Sequence, residues 1–149
     1  MALQPVPWDD RYLTGIAEID LEHRTLIVLL NDVIAALQRR VSAPTAHSML
    51  RSVETQFVRH FRSEEALLRR LSYPDADRHA AEHWGHERAI AAALVEANTD
   101  VDVHDVTRLL REWVTTHLRD GDHALADWVR TGTQPSVGVA EDRRLQGAE

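Results

Sequence analysis

Cysteine is absent from the 149 residues, and so is lysine, since all 17 basic side chains are arginine. Without thiols the chain has no disulfide, thiolate nucleophile, cysteine-ligated zinc or iron–sulfur cluster. Without lysine it has neither Schiff-base chemistry nor a lysine-based phosphate cradle. Glycine and proline are scarce, at 6 and 5 residues, and the prolines sit near the ends of periodic stretches, which favours helices joined by short connections. No stretch alternates with period two, so no sheet is expected. No run approaches the roughly 20 apolar residues of a membrane-spanning helix, so no membrane insertion is expected. Residues 1–10 lack the basic and apolar regions of a signal peptide, and a cytoplasmic protein is the expectation. Acidic side chains outnumber basic ones by 24 to 17, which argues against phosphate-driven binding of nucleic acid.

What the chain holds in excess is histidine, nine residues of it. The rest of the composition is ordinary: 44% apolar and 28% charged side chains exclude wholesale disorder, and the length fits one domain with one core. Four periodic stretches follow one another. The first opens at Asp20, an N-cap candidate, and runs to about Arg40 with the stripe Leu26/Ile27, Leu30, Val33/Ile34 and Leu37. Ser42, with Pro44 in the first turn, starts the second, whose stripe is Leu50, Val53, Phe57, Phe61, Leu68 and Leu71. Residues 72–77 break it, with Asp75 or Asp77 able to cap a third helix through about Ala97. After residues 98–100 the fourth stripe is Val106, Leu110, Trp113, Leu118, Leu125 and Trp128. Long helices with short connections predict an all-α fold, an antiparallel up-down-up-down four-helix bundle over residues 20–130. Residues 1–19, with Trp8 and Tyr12, form an arm expected to pack across the bundle, and residues 131–149 a frayed, flexible C-terminal tail.

Laid on these stripes, the histidines fall where a core should be apolar. His60 and Glu64 lie one turn apart among Val53, Phe57, Leu68 and Leu71. His79, His83 and His86 share a face with Ile90 and Leu94. His23 extends the first stripe, and His117 lies one turn beyond Trp113. Burying so many titratable groups unpaired is prohibitive, which leaves a hydrogen-bonded network or a metal site. Imidazoles converging from four helices on a carboxylate favour the metal, and the donor set suits iron or a similar transition ion. A structural zinc site needs only four ligands, fewer than the candidates here.

Ordered motifs run from about residue 8 to residue 128: Trp8-Asp-Asp, Gly15-Ile16, Ile19-Asp20-x-x-His23, Leu30-Asn31, His60-Phe-x-x-Glu64-Glu65, Tyr73-Pro74, His79-x-x-x-His83 and Trp113-x-x-x-His117-x-x-x-x-Asp122. In that order and spacing the set resembles the bacteriohemerythrins, the bacterial branch of the hemerythrin family of oxygen-binding di-iron proteins. The resemblance implies two irons with an oxo or hydroxo bridge. It makes Glu64 and Asp122 bridging carboxylates, His79, His83 and His117 ligands of one iron, and His23 and His60 ligands of the other. The iron with fewer imidazoles then keeps an open position for dioxygen. Leu26, Phe61, Trp113, Val114 and Leu118 are the implied lining of a dry oxygen pocket. The family usually carries leucine where this chain has Val114, which implies a looser lid. It commonly has phenylalanine or another large apolar residue at the position of His86. That residue is expected either to reach solvent or a neighbouring carboxylate, or to face the pocket.

His47 and His104, off the stripes, are expected to be solvated, and His123 to lie at the surface or beside a ligand. Glu65, Glu82 and Asp120 read as exposed helix charges, one of which could orient a ligand imidazole by its second nitrogen. His117 and Asp122 are five residues apart, about 140° on a regular α-helix. Either a π-type widening near Gly121 or a long reach by Asp122 past that glycine must bring them together. The function implied is reversible dioxygen binding, as carrier, store or donor to a protein partner or an oxygen-consuming enzyme. The competing readings are an oxygen-sensing module acting in trans and a di-iron enzyme reducing peroxide or NO. The absence of any Glu-x-x-His pair speaks against a ferritin-like oxidase.

Overall fold

A computed structural model of the chain describes residues 2–132, and of residues 120–122 it describes the backbone alone. Four long helical segments make up an all-α bundle, with no strand among the described residues. Helix α1 spans Ala17–Gln38, α2 Ala43–Arg70, α3 Ala76–Glu96 and α4 Asp100–Thr116. The fourth segment continues through a π-helical stretch, His117–Gly121, into α5, Asp122–Thr131. The connections are residues 39–42, 71–75 and 97–99, short enough to force antiparallel neighbours. The tail beyond residue 132 lies outside the described residues.

Local chemistry sets the helix ends. The Ser42 side chain accepts the Thr45 amide at 3.3 Å, with Pro44 in the first turn of α2. Thr99 and Asp102 form a reciprocal capping box at the start of α4. Asp20 is not the cap of α1, which begins three residues earlier. Its carboxylate reaches back to the amides of Thr14 (2.6 Å) and Gly15 (3.2 Å), pinning the turn where Gly15 takes φ +83°. Asp75 stands at the N-cap of α3 without capping it, because its carboxylate is taken by Arg78 at 2.8 Å.

The core divides along the bundle axis. Leu26, Leu30 and Ile34 of α1, Leu50, Val53 and Phe57 of α2, Leu94 of α3 and Leu110 of α4 belong to one large buried cluster. Each fully buried side chain of this kind stabilises the fold by about 1.5–3 kcal/mol. A second, small cluster of Leu68, Tyr73 and Leu125, flanked by Ile16 and Trp128, lies beyond it. The antiparallel alternation brings the start of α1, the later part of α2, the start of α3 and the end of α4 to one level between the two clusters. All the stripe histidines fall there.

The N-terminal residues lie against this bundle through backbone contacts. Asn31 exchanges two hydrogen bonds with Val6, at 2.7 and 2.9 Å, much as a neighbouring strand would. Arg111 donates to the Gln4 carbonyl at 2.7 Å, and the Arg24 guanidinium covers Trp8. Tyr12 ends buried, which places its carbonyl beside His23.

Candidate metal centre

Each helix places its donors by the same 3.6-residue arithmetic that builds the core. His23, His60, Glu64 and His83 are fully buried, and the His79 side chain is 12% exposed. His23, His60 and Glu64 each offer a ligand atom, all within 4.8 Å of one another. Glu64, His79 and His83 form a second group by the same measure. One carboxylate therefore belongs to both groups. Its Oε2 lies 3.2 Å from His60 Nε2, while its Oε1 meets His79 Nε2 directly and lies 3.6 Å from His83 Nε2. The His117 ring stands among the others, with centroids 5.5 Å from His83 and 6.0 Å from His60.

The second ring nitrogens decide which atom each imidazole presents. His23 Nδ1–H donates to the Tyr12 carbonyl at 2.7 Å. His60 Nδ1–H faces Glu22 Oε1 at 3.4 Å, and His83 Nδ1–H faces Glu65 Oε1 at 3.3 Å. Carbonyl and carboxylate oxygens only accept here, so the proton sits on Nδ1 and the Nε2 lone pair is turned toward the cluster. That is the tautomer a metal-ligating imidazole needs, with a fixed ring plane. Arg62 holds Glu65 in turn, at 3.2 Å, and is itself held by Glu87 at 2.9 Å. The Glu87 hydrogen bond raises the guanidinium above its ordinary pKa. A buried set of imidazoles and one carboxylate, arranged as two groups with a shared member, fits metal ligation better than it fits a polar network.

Among the residues proposed for the site, His23, His60, Glu64, His79, His83 and His117 come together. The side chain of Asp122 lies outside the described residues, as does that of Asp120. The backbone geometry asked for between His117 and Asp122 is nevertheless present, because residues 117–121 are π-helical. Phe61 stacks on His83 with centroids 4.2 Å apart, and Trp113 stacks on His117 at 4.6 Å and 10°. Leu26, Val114 and Leu118 are buried in the same core.

Some expectations need correction. Of the two readings offered for Glu65, exposed charge or carboxylate orienting an imidazole, the second describes it: only 11% of its side chain is accessible and it faces His83 Nδ1 at 3.3 Å. His47 is not solvated: its Nε2 bonds to the Leu94 carbonyl at 2.7 Å, tying α2 to the end of α3. His104 is half-buried, while Glu82 and His123 are exposed. His86 is half-buried. Its Nδ1 accepts the Trp113 indole N–H at 2.6 Å. Burial, and then His117, push its pKa down, with Glu82 opposing. Sequence reasoning passes over Glu22 and the Tyr12 carbonyl. Glu22 could be found as the carboxylate flanking the stripe at Ile19, His23 and Leu26. A backbone oxygen leaves no such signal.

Comparison with known proteins agrees with this geometry. Residues 14–129 match the family model of the hemerythrin HHE cation-binding domain. The chain is 29% identical over 124 residues to the bacteriohemerythrin of Stenotrophomonas maltophilia, covering 83% of this chain and 80% of the relative. It is 28% identical to that of Pseudomonas aeruginosa, with the same coverage. Similarity extends to the hemerythrin subunit alpha of Lingula anatina, 27% identical over 119 residues, 80% of this chain and 91% of the relative.

Proposed function

The chain belongs to the hemerythrin family, and from that premise we propose that it binds dioxygen reversibly at a centre of two irons, as a carrier, store or donor of oxygen. The observation that carries the reading is the double membership of Glu64, shared between the His23–His60 group and the His79–His83 group. One carboxylate has two oxygens and can serve two ions, whereas a single four-ligand ion would leave imidazoles over. His23 and His60 would hold one iron. His79, His83 and His117 would hold the other, Glu64 would serve both, and Asp122 would be the second carboxylate, as the family resemblance implies. When bound, the pair of irons would supply reversible redox chemistry toward dioxygen.

The protein's own part is positional and exclusionary. Tyr12, Glu22 and Glu65 fix three imidazole planes through Nδ1. Leu26, Phe61, Val114 and Leu118, each at most 1% exposed, keep water and protons from the oxygen pocket, and Trp113 closes it on the α4 side. A dry pocket favours release of dioxygen unchanged over loss of its reduced form.

Loading the chain with ferrous iron under nitrogen, then admitting air, tests the reading. Two irons per chain and a colour that nitrogen removes are expected. One iron per chain, or steady consumption of oxygen or peroxide, overturns it, the latter in favour of a di-iron enzyme.

A further inference from the structure

Resting on that reading of the site, we infer that His86 is a positioning residue: it accepts the Trp113 indole N–H and so holds the indole plane against the His117 imidazole. An indole carries one polar atom, and in a half-buried, largely aromatic setting that atom needs an acceptor. His86 Nδ1 supplies it at 2.6 Å. Around Trp113 the other ring contacts meet it edge-on, Phe57 at 68° and Phe61 at 84°. These clamp the indole sideways, while the hydrogen bond sets its rotation within its own plane. The result is a near-parallel stack on His117, 10° from coplanar at 4.6 Å.

Helical register explains why this pair sits where it does. His86 follows His83 by one turn on α3, and Trp113 precedes His117 by one turn at the end of α4. Each helix thus carries a donor histidine and, beside it, one half of a bolt that joins the two helices. The His86 ring is 6.4 Å from that of His117, centroid to centroid, and 61° from the plane of Trp113. His86 therefore acts on His117 through the indole rather than by its own stacking. With Nδ1 accepting, its proton is on Nε2 and the ring is neutral. Removing the acceptor leaves a half-buried N–H without a partner and gives the indole reason to rotate toward solvent. One face of His117 and one wall of the pocket loosen with it.

The test uses the full chain in two forms. In the metal-free form, indole ¹⁵N–H spectra read the hydrogen bond itself, and the signal lost in Trp113→Phe identifies Trp113. His86→Phe is expected to shift that signal upfield and speed its exchange with water, and His86→Gln, whose amide oxygen can accept, to restore most of both. In the form loaded with ferrous iron, transfer of iron to a strong chelator should quicken on the order of tenfold in His86→Phe and in Trp113→Phe. It should stay close to the unsubstituted rate in His86→Gln. The double variant His86→Phe/Trp113→Phe should be no worse than Trp113→Phe alone, because the two act as one unit. An indole signal indifferent to His86→Phe, or additive rates in the double variant, overturns the inference. If the chain takes up no pair of irons while the indole signal still responds as described, the di-iron reading fails and the positioning role stands on the metal-free spectra.

Discussion

At the scale of single residues, the centre depends on atoms with two obligations. Glu64 faces His60 with one oxygen and His79 and His83 with the other, so no neighbour can replace it. On the proposed di-iron reading, Glu64→Gln is expected to empty both positions, with iron content falling from two per chain to below one. Glu65 carries a lesser duty, orienting His83 from outside. Glu65→Ala should keep two irons at saturation and weaken their binding by about 10–100-fold, the usual cost of losing a partner that orients a ligand. Iron quantitation and a chelator competition separate the two variants. Equal stoichiometry in both would mean that Glu64 is not shared. The stripe on α2 makes Glu64 legible from sequence, because a carboxylate among Phe57, Leu68 and Leu71 has no bland explanation. The role of Glu65 is legible only as one of three alternatives and that of Glu22 not at all, since both lie at the edge of a stripe. Which edge meets a neighbour depends on how the helices pack.

At the scale of elements, the fourth helical segment has the most unusual backbone. Its π-helical stretch, His117–Gly121, inserts extra residues into the turn and re-aims everything that follows. Inserting one alanine after Arg119, which is exposed, should exceed what the π-helical stretch absorbs and turn α5 by about 100°. Leu125, 1% exposed, would leave the small cluster it shares with Leu68 and Tyr73. A loss of roughly 1.5–3 kcal/mol is expected from that side chain alone, along with weaker iron binding. An unchanged melting temperature would count against the account. The start of the same segment offers a pH test. The Asp102 carboxyl is held below its ordinary pKa by the Asn98 amide first, then by the Thr99 side chain and amide. A lowered folded-state pKa contributes stability that is present above the usual carboxylate value and lost as pH falls through the folded one. Asp102→Ala should therefore cost stability at neutral pH, and its deficit should shrink toward zero on acidification through about pH 4 and below. Thermal melts of both proteins from about pH 6 to about pH 3 check this, and a deficit that persists at the lowest pH would point to a helix effect unrelated to charge.

At the scale of the whole molecule, the bundle carries a buried polar layer between two apolar clusters. His23, His60, Glu64 and His83 are each fully inaccessible to solvent. A domain of this size is stable by only about 5–15 kcal/mol, so such a layer weighs heavily on it. Metal that binds the folded chain and not the unfolded one stabilises by mass action, about 2.7 kcal/mol at a hundredfold excess over the dissociation constant. Stripping iron with a chelator is thus expected to lower the melting temperature by several degrees, and restoring ferrous iron to recover it. Equal melting temperatures with and without iron would show that the layer is satisfied as a hydrogen-bonded network alone.

The order of helices, their stripes and the inward-facing histidines all follow from sequence, because periodicity of 3.6 and short connections are local properties. The cap at Ser42 is legible for the same reason, since its partner is three residues away. Asp20 misleads because a carboxylate one turn inside a helix looks like a cap until the preceding turn is seen folded back on it. His47 misleads because its acceptor, the Leu94 carbonyl, belongs to another helix and carries no side-chain signature. Between a π-helical widening and a long reach by Asp122, the spacing of His117 and Asp122 poses the question without choosing. Most of all, the place of His86 is decided only in three dimensions. Its register puts it on the site face, but whether an imidazole there meets solvent, metal or an indole N–H depends on the rotation of α3 against α4. That rotation is set by packing across the whole bundle, which no window of sequence contains.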